Sequence, residues 1–113
     1  MLFLCASWGG DAAVVPSIWP LEIANVLAIA ARKNRITTAR RQQFLTLLQN
    51  APITVDASSI KGVFGSITAL ADQHRLTLYD ASYLELAMRR GLPLATLDGD
   101  MQKAAGAAGV RLL

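Results

Sequence analysis

The chain has 113 residues, which suits one small domain and is too short for two. Apolar residues make up 53% of it, without repeats or low-complexity tracts, so a packed core is expected and general disorder is excluded. The formal net charge of +3 is compatible with a polyanionic partner but does not require one.

Strands and helices alternate along the chain, as judged from the spacing of apolar residues and from turn signals. The helix predicted over 18–33 is apolar all round, which is typical of a core helix, and Ser17 is its candidate N-cap. Thr37 is the candidate N-cap of the helix at 38–49, and Gly91 is the candidate C′ residue of the helix at 81–90. The alternation predicts an α/β domain with a mainly parallel sheet and helical crossovers. The predicted elements in chain order are a strand at 12–15, helices at 18–33 and 38–49, a strand at 53–55, helices at 58–74 and 81–90, a strand at 93–97, a helix at 99–107 and a strand at 110–113.

Three acidic residues occupy positions where α/β folds often bind ligands. Glu22 lies on the apolar helix just beyond the first predicted strand, and Asp98 directly follows the strand at 93–97. Asp80 opens a helix after the short apolar run at 76–79. Each residue also has a simpler interpretation, because Glu22 could face water near a helix start and the two aspartates could be helix N-caps.

Taken together, these carboxylates would meet at the carboxyl ends of the strands, where open α/β sheets bind ligands. They would repel one another there unless a divalent cation neutralised them. Carboxylate oxygens without a Cys or His pair favour Mg²⁺ or Mn²⁺ over zinc. A metal-bound water could then attack a phosphodiester, and a second metal could stabilise the leaving oxygen.

Residues 15–26, 76–87 and 92–100 resemble, in order and spacing, the PIN-domain family and in particular the VapC-like toxins of toxin–antitoxin pairs. The resemblance implies a three-layer α/β/α fold, a metal-dependent endoribonuclease with an RNA substrate, and a VapB-like antitoxin partner. Carried over by motif, Glu22, Asp80 and Asp98 are the catalytic metal-site carboxylates. Asp100 is an auxiliary metal ligand.

The N-terminal end departs from the family, which begins with a strand ending in an Asp-Ala-Ser-like element whose Asp is a central metal ligand. In one interpretation residues 1–7 are that strand, with Cys5 in place of the Asp. Only about six residues would then precede Val14, enough for an antiparallel hairpin but not for a parallel crossover, which needs about a dozen. We therefore favour the other interpretation, in which residues 1–8 are the end of a helix and the first strand is absent.

In either case the first strand is missing or altered, and residues 1–113 form a single PIN-like domain that is N-terminally truncated relative to the family. The loss would leave a sheet edge and apolar surface uncovered. A homodimer, with strand exchange as one route, would cover them.

Basic residues form small groups, which are either solvated helix ends or weak RNA-binding positions: Arg32, Lys33, Arg35, Arg89 and Arg90. A rival function is a catalytically impaired module that binds an antitoxin or RNA without turnover. A phosphohydrolase motif at 98–100 is set aside, because only thirteen residues follow it.

The expected compartment is the cytoplasm. Cys5 is the one cysteine, so it cannot form an internal disulfide. Residues 1–7 lack the basic start of a signal peptide, and no apolar run reaches the ~20 residues that a membrane span needs.

Overall fold

The computed structural model describes the backbone of residues 4–6 and all of residues 12–113. Helices and strands alternate through this part of the chain, as the sequence predicts. A short π-helical segment, Val63–Ile67, joins α3 to α4 in one continuous helical stretch. The elements are β1 (Leu4–Ala6), β2 (Ala13–Pro16), α1 (Trp19–Arg32), α2 (Thr38–Gln49), β3 (Ile53–Asp56), α3 (Ile60–Gly62), α4 (Thr68–His74), α5 (Leu78–Arg90), β4 (Leu94–Ala95) and α6 (Gly99–Ala107).

The sheet has the strand order β3-β2-β1-β4. β2 pairs in parallel with β3, whereas β1 pairs antiparallel with both β2 and β4. β2, β3 and β4 therefore run in one direction and β1 alone opposes them. The predicted α/β fold is confirmed. The predicted last strand is reduced to one parallel bridge between Leu94 and Leu112.

The favoured interpretation of the N-terminal end is wrong for residues 4–6, which form a strand and not the end of a helix. Antiparallel pairing matches Cys5 with Val14 on one side and with Leu94 on the other. The physical reason is the one that argued against a parallel strand: the connection to β2 is too short for a crossover but long enough to reverse direction. The rest of residues 1–8 lies outside the described residues.

The core is centred on α5 and not on α1. α5 buries five side chains, of which Tyr83, Leu84, Leu86 and Ala87 belong to the core cluster shared with the sheet and α6, and Ala81 packs against α4. The prediction that α1 is a core helix is wrong, since Trp19 is its only buried residue. α1 packs mainly against α2, so its other face, with Val26 and Ile29, remains exposed in the monomer.

Polar caps set the ends of several helices. The hydroxyl of Thr37 accepts from the Arg40 N–H, which confirms it as the N-cap of α2. Gly91 ends α5 with a left-handed backbone, φ 65°, as predicted for a C′ glycine. Ser17 does not cap α1, because the N-cap position is Ile18 and no side chain caps that end.

Candidate functional site

Glu22 and Asp80 line one open pocket of about 570 Å³, although 58 residues separate them in sequence. Glu22 lies in the first turn of α1, which follows β2, and Asp80 lies in the first turn of α5. Two helix N-termini thus bring these carboxylates to the same opening. The other lining residues are Ile18, Leu21, Asn25, Thr77 and Tyr79.

Tyr83 holds the Glu22 carboxylate in place. The Tyr83 ring is fully buried, and its hydroxyl donates a hydrogen bond of 3.1 Å to Glu22 Oε1. From the sequence, the default interpretation of Tyr83 is core packing, with stacking on a base as the alternative, and its contact with Glu22 was not predicted. The signal was its helical spacing, since a residue three positions after Asp80 lies on the same face of α5.

Asp80 does not cap its helix. Thr77 is the N-cap of α5, and its hydroxyl accepts from the Asp80 N–H at 3.1 Å. The simpler interpretation of Asp80 as an N-cap is therefore wrong, because a threonine three residues earlier already satisfies that end of the helix. The Asp80 carboxylate remains available to the pocket.

Both carboxylates are less acidic than usual. Burial raises the pKa of Glu22 above its ordinary 4.5, outweighing the hydrogen bond from Tyr83, and the charge of Asp80 raises it further. Burial also raises the pKa of Asp80 above 3.8, with a further increase from the charge of Asp98. Within residues 12–113, neither carboxylate forms a salt bridge with a basic side chain. Partly desolvated negative charge of this kind favours a cation.

Asp98 lies near the pocket without lining it. It occupies the N-cap position of α6, but its carboxylate makes no capping bond; its own N–H instead donates to Thr96 Oγ1 at 3.1 Å. Its carboxylate lies close enough to act on the pKa of Asp80. Asp100 is exposed in the first turn of α6, and the pocket does not include it.

The pocket suits a divalent cation that keeps part of its hydration shell better than a cation coordinated entirely by protein groups. Among the described residues, no group of three Asp, Glu, His or Cys side chains could hold a metal ion. Mg²⁺, however, keeps several waters and commonly uses one or two protein carboxylates together with substrate phosphates. Glu22 and Asp80 match that donor set in chemistry, in charge and in access to solvent.

Another acidic residue, Asp56, was not predicted to have a role, although it directly follows the predicted strand at 53–55 as Asp98 follows the strand at 93–97. Asp56 is buried, and it accepts hydrogen bonds of 2.7 Å from Arg89 Nη2 and 2.8 Å from Arg90 Nε. These hydrogen bonds hold the pKa of Asp56 below the usual 3.8, and the bond from Arg89 has the largest effect. Arg89 also pairs with Glu85 one turn earlier on α5. We define these four residues as the Asp56 cluster.

The predicted RNA-binding residues are exposed but not equivalent. Arg32, Lys33 and Arg35 surround the C-terminal end of α1 and form no salt bridge with a described residue. Arg89 and Arg90 are engaged in the Asp56 cluster, which leaves part of each side chain, 44% and 41%, accessible. RNA binding by all five stays a prediction.

Within the described part of the chain, no helix combines the length and hydrophobicity that crossing a membrane requires. A search of curated proteins finds no match to the chain.

The PIN domain family model matches residues 5–107, a span that includes Glu22, Asp80 and Asp98. PIN domains are generally nucleases that use divalent metals, and they commonly bind RNA and often partner antitoxins. Since the match covers nearly the whole chain, the protein belongs to the PIN domain family.

Proposed function

We propose that the protein is a metal-dependent endoribonuclease of the VapC-like toxin type, restrained by a VapB-like antitoxin. One observation carries the proposal: Glu22 and Asp80, from helices far apart in sequence, share one open pocket with raised pKa values and no basic partner among the described residues. Partial burial of two like-charged carboxylates costs stability, and a bound cation would offset that cost.

Each of these residues would have a separate role in metal binding or catalysis. Glu22 and Asp80 would hold Mg²⁺ or Mn²⁺. Asp98 would add negative charge near them, and Asp100 would be an auxiliary ligand. Tyr83 would fix the orientation of Glu22 by its hydrogen bond. The bound metal would supply a water of lowered pKa for attack on the RNA phosphodiester.

Metal binding is tested by the melting temperature of the whole chain in titrations with Mg²⁺ and Mn²⁺. A ligand at 100 times its Kd stabilises the folded state by about 2.7 kcal/mol. Glu22→Gln and Asp80→Asn should each lose most of this effect. Glu85→Gln is the matched control, because it makes the same chemical change in a carboxylate that pairs with Arg89 and lies outside the pocket.

Cleavage of a labelled single-stranded RNA, with and without EDTA, tests the activity itself. We expect metal-dependent cutting by the parent chain and by Glu85→Gln, and its loss in Glu22→Gln and Asp80→Asn. An equal response of all variants to metal would contradict the assignment of the pocket.

The second candidate function is a non-catalytic module that binds an antitoxin or RNA. It is favoured by the sequence of β1, Leu-Cys-Ala, which offers no carboxylate to the sheet. It is also favoured by the lack of a cluster of three potential ligands among the described residues. In that case RNA or antitoxin binding would persist while metal changed neither the melting temperature nor the RNA.

A further inference from the structure

A second cavity opens beside the carboxylate pocket and has a different chemical character. It has a volume of about 420 Å³ and lies between the end of β2, the α3 region and the start of α5. Ile18 and Tyr79 line both cavities, so the two cavities are adjacent and share a wall. The volume falls within the range of about 300–1,000 Å³ that is usual for small-molecule sites.

The walls of this cavity are apolar, with hydroxyl groups at a few points. Val63 and Ile67 contribute apolar surface, and none of the described residues that line the cavity is charged. Ser17 and Ser58 also line it, and within the described part of the chain neither hydroxyl has a hydrogen-bond partner. Tyr79 forms the shared edge, and 63% of its surface is exposed although it is a large aromatic residue.

We propose that this cavity binds one nucleobase of the RNA, the base next to the scissile phosphate that a metal at Glu22 and Asp80 would hold. The proposal rests on the proposed function for the identity of the ligand. A base has apolar faces and polar edges, so apolar walls, an exposed aromatic ring and free hydroxyls suit it. The lack of charge in the lining argues against a phosphate in this space. The boundary at Tyr79 then separates the base from the metal-bound phosphate.

Direct binding of nucleosides tests the cavity without metal and without catalysis. The isotope-labelled whole chain is titrated in EDTA with uridine, cytidine and adenosine, each of which lacks a phosphate, and the backbone amides are followed by NMR. At least one nucleoside should give saturable shifts centred on Ser17, Ser58, Tyr79 and Ser82. Nucleosides that leave these amides unchanged, or that shift amides elsewhere, would overturn the proposal.

Variants assign the binding to the cavity. Tyr79→Ala should weaken nucleoside binding roughly tenfold, as expected for the loss of one stacking surface, and Tyr79→Phe should retain it. Ser58→Phe should fill the cavity from a loop position and abolish binding. Phe64→Ala is the matched control, because Phe64 is an aromatic residue that is also more than half exposed but does not line the cavity.

The RNA cleavage assay separates the two proposals. Cleavage without nucleoside binding would overturn the base site and leave the nuclease proposal intact. Nucleoside binding without cleavage would support the base site and favour the non-catalytic RNA module. A response of the same amides to a leucine-rich peptide, but not to nucleosides, would overturn the base site in favour of a protein ligand.

Discussion

Replacement of Asp56 by Asn tests whether the Asp56 cluster fixes the position of α5. Asp56 ends β3, and its partners Arg89 and Arg90 end α5, the helix whose first turn carries Asp80. The substitution keeps the shape of the side chain and removes its charge. Because only 8% of the Asp56 side chain is exposed, its hydrogen bonds cannot simply be replaced by water at that end.

The expected loss follows from these contacts. A hydrogen bond to a charged group contributes about 1.5–3 kcal/mol, and two arginines bind this carboxylate. The value must be reduced, since both arginines are 40–45% exposed and would return to water, and Asn still offers one acceptor. A net loss of about 2 kcal/mol remains, which lowers the melting temperature of a 113-residue domain by about 8 °C.

Urea denaturation of the parent chain, Asp56→Asn and Glu85→Gln measures the effect. Glu85→Gln removes the charge of a carboxylate that pairs with only one of these arginines, one turn earlier in the same helix, so its loss should be smaller, about 1 kcal/mol. The pKa of Asp56 is lowered on folding, so its contribution should persist from neutral pH down to 3.8 and disappear as the pH falls through the folded pKa. Equal losses in the two variants, or a difference between them that does not shrink as the pH falls below 3.8, would refute the reasoning.

Three further predictions concern the site and the core. Because Glu22 and Asp80 have raised pKa values, the stability of the metal-free protein should increase as the pH falls from neutral toward 4.5. Urea denaturation at a series of pH values measures this increase, which should be smaller in Glu22→Gln. A parent protein whose stability does not change with pH in this range would contradict the prediction. Tyr83→Phe should cost about 1 kcal/mol and raise the Glu22 pKa further, as measured by NMR titration of that carboxyl; an unchanged titration would exclude the hydroxyl as its partner. Leu86→Ala should cost about 2–5 kcal/mol, whereas Leu47→Ala, at a position that is 70% exposed, should change the denaturation midpoint little; a large loss at Leu47 would show that another surface covers α2 in solution.

Local sequence patterns determined the order of elements, several of their ends and the family resemblance. Thr37 and Gly91 act over one helical turn, so their effects could be predicted from neighbouring residues alone. Glu22, Asp80 and Asp98 could likewise be selected from the sequence, because an acid that follows a strand or opens a helix is a local feature. In the structure, Glu22 and Asp80 line one pocket, and the charge of Asp98 raises the pKa of Asp80.

Only the tertiary structure decided which surfaces meet. α1 is the more apolar helix, yet α5 forms the core, because burial depends on which elements lie against the sheet and not on composition. The contacts of Tyr83 with Glu22 and of Asp56 with Arg89 span 61 and 33 residues, far beyond the reach of any local pattern. The pairing of β1 with β4 likewise joins strands that are far apart in sequence, whereas its antiparallel pairing with β2 follows from the short connection.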